Sequence, residues 1–210
     1  MIGNVFDRYH ARYDAWYDRN RFAYLSELAA LKKEVPAGGK GLEIGVGTGR
    51  FAAPLGIQYG VDPSEKMLRT ARDRGIFARR SSGEDLPFDD GSFDHVALIV
   101  TLSFVRDPGR VLREAFRVLK GKGKIIIGMV DGVGFLGRYY IRKKGVFYKN
   151  ARLMGVGEVT GMLEESGFGG FSYHQTVFRL PGDMRSVHKT SPGYGRGGFV
   201  VISAVKKTGK

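Results

Sequence analysis

The chain has 210 residues, with 34 Lys and Arg against 21 Asp and Glu, four His, no Cys and a formal charge of +13. The missing cysteines exclude disulfides, thiolate nucleophiles and cysteine-ligated zinc, and the histidines show neither H-x-x-H nor H-E-x-x-H spacing, so metal chemistry is not expected. No apolar run reaches the length of a membrane span, and Asp7, Arg8, Arg12 and Asp14 stand where a signal peptide needs an apolar core, so a cytoplasmic protein with a single domain over 1–210 is expected.

Residues 5–33 read as one or two helices, forming a helical cap over 1–35. Phe6, Tyr9, Tyr13, Trp16, Tyr17 and Phe22 recur so that most share one helical face. Such a stripe either staples the helix to a core or offers ring faces to a cation, and Tyr13 and Tyr17 are the candidates for touching a ligand. Strands are expected at 40–46, 57–61, 77–80, 95–100 and 124–130, with a helix at 110–120. A basic insertion at 132–157, a helix at 158–166 and strands at 171–178 and 199–206 complete the chain. Alternating strands and helices predict a parallel doubly wound α/β sheet with ligands at the carboxyl ends of its strands.

The most informative stretch is Leu42-Glu43-Ile44-Gly45-Val46-Gly47-Thr48-Gly49. Three glycines in alternation behind an apolar strand make a tight turn whose amides face a ligand. The dinucleotide fingerprint places its third glycine one position later, where this chain has Arg50, so NAD fits poorly. The second strand ends in Asp62, at the distance from the turn where nucleotide-binding units set an acid for the ribose hydroxyls. Pro63 and Ser64 then open a helix, which leaves a turn or capping role for Asp62 open.

The pattern E-x-G-x-G-x-G resembles motif I of the class I S-adenosylmethionine (SAM) dependent methyltransferases. The block from Ser82-Gly83-Glu84-Asp85-Leu86-Pro87-Phe88 to Ser92-Phe93-Asp94 resembles the G-D-A-E-D-L-P-F-x-x-x-S-F-D loop of that superfamily's type 11 branch, and residues 107–120 resemble its D-P-x-x-x-L-x-E-x-x-R-V-L-K helix. Segments at 21–28, 146–152 and 193–202 are similar to small methyltransferases of thermophilic prokaryotes. The resemblance implies a Rossmann-like seven-stranded sheet of order 3-2-1-4-5-7-6, the last strand antiparallel. It implies SAM as cofactor and S-adenosylhomocysteine (SAH) as product. By that resemblance, Glu43, Gly45, Val46, Gly47, Thr48 and Gly49 hold the amino-acid end of SAM, Asp62 and Pro63 the ribose, and Ser82, Gly83 and Glu84 the adenine. Ser82 replaces an Asp found in many members, which shifts adenine recognition towards the amides of Gly83 and Glu84.

Thr101, after the fourth strand, is a further candidate at the cofactor, and with Asp131 and Tyr139 it is placed to approach an acceptor. A turn hydroxyl, a helix cap and a packed aromatic are the respective structural alternatives, and no general base is identifiable. His95 falls at the start of a strand, away from the ligand edge, and reads as structural; His10, His174 and His188 have no placement against the cofactor. Arg138, Arg142, Lys143, Lys144, Lys149 and Arg152 face no acid within the insertion and alternate with Phe135, Tyr139, Tyr140, Phe147 and Tyr148. That mixture suits phosphate capture with stacking, contact with an anionic membrane, or a solvated face over packing aromatics. The leading expectation is methyl transfer to N, O or S of a small-molecule acceptor. A methyltransferase of RNA or of a lipid headgroup, and a non-catalytic SAM-binding protein, are the alternatives. Ile99-Val100-Thr101-Leu102 lacks the Asn/Asp-Pro-Pro-Tyr motif of many base methylating enzymes, which weakens nucleic acid.

Overall fold

A computed structural model describes residues 3–208. In chain order it contains α1 (Gly3–Arg19), α2 (Arg21–Leu31), β1 (Gly41–Ile44), α3 (Ala52–Leu55), β2 (Tyr59–Asp62), α4 (Glu65–Asp73), β3 (Phe77–Arg80), β4 (Phe93–Ile99), α5 (Pro108–Val118), β5 (Leu119–Val130), α6 (Phe135–Lys143), α7 (Val156–Glu165), β6 (Phe168–Thr176), β7 (Ser191–Pro192) and β8 (Phe199–Lys206). The sheet order is β3-β2-β1-β4-β5-β8-β6-β7. The first five strands pair in parallel, and β8 lies antiparallel between β5 and β6. This is the expected 3-2-1-4-5-7-6 arrangement, with the two-residue β7 added on the edge of β6.

Strand alternation sorts the core into two layers. Ile126, Val130, Phe199 and Val201 face a layer with Leu28 and Leu31 of α2, and with Leu68 and Ala71 of α4. Ile125, Ile127, Val200 and Ile202 face the other, with Val111, Leu112 and Ala115 of α5, and with Val159 and Leu163 of α7. Burial on both faces explains the near-continuous apolar runs of β4 and β5. β5 starts earlier than expected: Leu119 pairs with Phe93, the chain bulges through Lys122 at φ 64, and pairing resumes at Lys124 with His95. The end of the predicted helix is therefore already strand.

The expected placement of His95 away from the ligand edge matches the structure. It is buried at the start of β4, where a Cβ on Gly41 would lie 2.3 Å from its Nε2. The basic insertion is pinned at its base, since the Gly132 amide donates to Met154 O at 2.9 Å and a Cβ on Gly132 would meet Leu153 O at 2.5 Å. Between those points it forms α6 and a 3-10 turn at Tyr148–Asn150. No described helix is long and apolar enough to cross a membrane.

Candidate functional site

The strand order reverses between β1 and β4, and the site lies at the carboxyl ends of the strands around that point, where an open α/β sheet leaves a crevice. Gly45, Gly47 and Gly49 have φ of 74, 52 and 76, the left-handed region that side chains resist. Gly45 is also sterically required, because a Cβ there would sit 2.4 Å from Thr101 Cγ2. Thr101 is held beneath the turn by donating to Ile44 O at 3.0 Å and Ile99 O at 3.1 Å. Val100 turns the chain at the end of β4 with φ 57, a strained value for a β-branched residue. Asp62 accepts from the amides of Gly47 at 3.0 Å and Ser64 at 2.9 Å, so it joins the glycine turn to the start of α4. Burial pushes its carboxyl up to about 6, against the lowering effect of the two amides.

Among the sequence candidates, Tyr13, Tyr17, Gly45, Gly47, Asp62, Pro63 and Thr101 line one cavity. The others sit around or away from it. Glu43 is buried beneath the turn, bonded to the Ala52 amide, with Oε2 unpartnered. Burial raises its carboxyl well above the ordinary range. Val46 fills the space over Gly60, Thr48 donates to Asp14 at 2.6 Å, and Gly49 packs on Ala71. Ser82 is exposed, Gly83 makes room for Ile44 and Val111, and Glu84 accepts from the Arg106 amide at 3.0 Å. Asp131 is buried and accepts from the Val133 amide at 3.2 Å. Tyr139 lies outside the cavity wall and receives a hydrogen bond from Lys143 at 2.9 Å; its neighbour Tyr140 lines the cavity instead.

The N-terminal helix is latched over this turn. The Asp14 carboxylate accepts from Thr48 Oγ1 at 2.6 Å, from Arg50 Nε at 2.9 Å and from both terminal nitrogens of Arg74 at 3.0 Å. Ser64 donates to Asp7, and Tyr24 donates to the Arg50 carbonyl at 2.6 Å. Burial alone would raise the Asp14 pKa, but the bonds from Arg50, Arg74 and Thr48 outweigh it and hold the carboxyl well below the usual range. Its stabilisation is thus present above the unfolded pKa and lost as pH falls through the folded one. Asp14→Ala is expected to lower stability by about 2 to 3 kcal/mol and to make α1 sensitive to limited proteolysis. Unchanged melting and protease resistance would show that the latch is dispensable.

The cavity holds about 1130 Å³ of empty space, counted with its opening to solvent. Phe6, Trp16 and Tyr17 of α1, Leu136 and Tyr140 of α6, and Phe147 and Tyr148 of the insertion form much of its wall. Tyr140 and Tyr148 stack with centroids 4.3 Å apart and planes 6° apart, and Phe147 stacks on Phe6 at 5.5 Å. The insertion's Tyr140, Phe147 and Tyr148 therefore face inward, whereas Arg138, Arg142, Lys143, Lys144, Lys149 and Arg152 are exposed. Arg152 is not free of acids, since it pairs with Glu158 of α7.

Sequence reasoning passed over Glu27. It lies on α2, is 5% exposed, and lines the cavity beside the tyrosines. A carboxylate within the buried stripe Ala23, Glu27, Ala30 was the signal available.

A type 11 methyltransferase domain matches residues 42–127. The chain belongs to the SAM-dependent methyltransferases, and SAM is its cofactor. It is 48% identical over 205 residues to an uncharacterised protein of Methanocaldococcus jannaschii, covering 97% of this chain and 99% of that one. The crystal structure of a SAM-dependent methyltransferase of Thermotoga maritima superposes with a TM-score of 0.96 at 46% identity, over 99% of this chain and 100% of that one. A ubiquinone/menaquinone biosynthesis C-methyltransferase of Idiomarina loihiensis is 30% identical over 149 residues, 60% of this chain and 58% of its own.

Proposed function

We propose that the enzyme transfers the methyl group of SAM to a nitrogen, oxygen or sulfur atom of a small molecule held in the aromatic cavity. The observation that carries this is the lack of basic side chains on the cavity wall. The chain has a formal charge of +13, yet among the described residues no Lys or Arg lines the cavity, whose acidic side chains are Glu27 and Asp62. A phosphate of RNA or of a lipid headgroup would find no cation inside. The Thermotoga maritima relative is described as a possible histamine N-methyltransferase, which favours nitrogen among the three.

The residues present suit the cofactor. In this reading the positive-φ turn at Gly45 and Gly47 leaves space for the amino-acid end of SAM where side chains would intrude, and Asp62 accepts from the ribose hydroxyls. The adenine role of Ser82, Gly83 and Glu84 rests on the family resemblance, since these three stand outside the cavity wall. SAM supplies an electrophilic methyl on a sulfonium. The protein's part is to align an acceptor with it and exclude water, and proximity of this kind is worth roughly 7 to 11 kcal/mol.

Reversing Arg142, Lys143 and Lys144 to glutamate tests the polymer alternative. SAH affinity and turnover of a small acceptor are expected to stay within about twofold of wild type, because these side chains are exposed and outside the cavity. If the wild type methylates RNA or anionic vesicles, with binding that weakens steeply as salt rises and a slope that the reversal flattens, the small-molecule reading fails.

A further inference from the structure

We infer that Glu27 is the acceptor-binding carboxylate of this enzyme, receiving the ammonium group of a small amine and taking its proton before methyl transfer. The inference rests on the small-molecule reading above and adds to it the charge of the substrate and the residue that selects it.

Every other enclosed carboxylate near the site has a protein partner. Asp62 takes two amides, Asp14 takes Arg50, Arg74 and Thr48, and Glu43 takes the Ala52 amide. Further along the chain, Glu34 receives Lys124, Ser172 and Ser203. Glu27 differs: it is 5% exposed, lines the cavity, and among the described residues its burial is offset by no hydrogen bond and no cation. A buried carboxylate without a partner is strongly unfavourable, so a fold that keeps one on a cavity wall is completed by what enters the cavity. The partner must be a cation or a strong donor. Arg50 and Arg74, the nearby guanidinium groups on the glycine-turn side, are already committed to Asp14.

The surroundings favour an ammonium over a neutral donor. Trp16 and Tyr17 from α1, Tyr140 from α6 and Tyr148 from the 3-10 turn share the cavity with Glu27, and aromatic faces attract cations most when water is excluded. The phenols of Tyr13, Tyr17, Tyr24, Tyr140 and Tyr148 are all pushed up, by burial first and also by the charge of Glu27, so none competes as an anion near neutral pH. Asp62, pushed up to about 6, is the other carboxyl on the wall. Burial alone pushes Glu27 up to about 8, where a group can both accept a proton and release it.

An N–H bond of the bound ammonium breaks as an O–H bond forms on Glu27. The freed nitrogen pair bonds to the methyl carbon as that carbon leaves sulfur, whose bonding pair stays on the thioether. The positive charge ends on the methylated nitrogen, and the proton on Glu27 leaves to solvent.

Calorimetry on the SAH-saturated protein with histamine, tyramine and 2-phenylethylamine, against 2-phenylethanol and phenylacetate, provides the test. At least one amine is expected to bind more tightly than the alcohol by roughly ten- to a hundredfold. Glu27→Gln and Glu27→Leu should both erase that preference while leaving SAH affinity within about twofold, and Glu27→Asp should restore part of it. Equal binding of amine and alcohol by wild type, no amine binding across the panel, or an amine preference that survives in both neutral variants would overturn the inference. Methylation of phenols or thiols without amines would sink Glu27's role and leave the small-molecule reading standing. Methylation confined to RNA or vesicles would sink both.

Discussion

Asp62→Ala is expected to weaken SAH binding by roughly a hundredfold or more while the protein remains folded at neutral pH. Two hydroxyls on one carboxylate are two charge-assisted hydrogen bonds, and their loss is the source of that figure. The fold is expected to survive because Asp62 is not a stabilising charge in the empty protein. Its carboxyl stands at about 6, above the ordinary 3.8, so ionising it costs stability as pH rises between those values. Against this, the Gly47 and Ser64 amides lose an acceptor, a loss that water in the cavity lined by Gly47 and Asp62 can partly replace. Calorimetry with SAH and thermal melting separate the effects. A protein that melts much earlier yet binds SAH normally would reduce Asp62 to a capping residue.

Glu27→Gln is expected to stabilise the empty protein at alkaline pH. The Glu27 carboxyl rises from 4.5 to about 8 on folding, so the native state binds more protons than the unfolded chain across that window. Stability therefore falls as pH rises from the lower value to the higher, and the full penalty, a few kcal/mol, is present above it. Glutamine removes this contribution. Denaturant titrations at pH 5, 7 and 9 should show a shallower decline in the variant, with its largest advantage at pH 9. Asp62 and Glu43 are raised in the same direction and persist in both proteins, so some decline remains. A variant no more stable than wild type at pH 9 would show that Glu27 is not held unpartnered in the empty cavity.

How much of this was legible in the sequence depended on whether local chain chemistry or remote packing set the answer. The glycine turn was legible because positive φ at Gly45, Gly47 and Gly49 is a local demand that only certain residues meet. The strand order came from the family resemblance, and the alternating pattern supported its parallel part. The start of β5 was missed because Val118 and Leu119 continue the apolar period of α5, while the bulge at Lys122 answers to pairing with β4. Tyr139 and Tyr140 are adjacent and chemically alike, so only the direction of α6, set by its pinned base, decides which ring reaches the cavity. The insertion's cations and aromatics looked mixed in sequence because helical winding separates them only in space. Glu27 was hidden for a related reason: one acid in a helix reads as a solvent position until side chains of α1 and α6 close a cavity wall around it.

The most direct measurement is transfer of an isotope-labelled methyl group from SAM, followed in parallel across pooled small amines, phenols and thiols, total RNA, and phospholipid vesicles. A cavity with an aromatic wall, two carboxyl groups and, among the described residues, no lining cation should place the label on a small acceptor. Label recovered only in RNA or lipid would contradict the account.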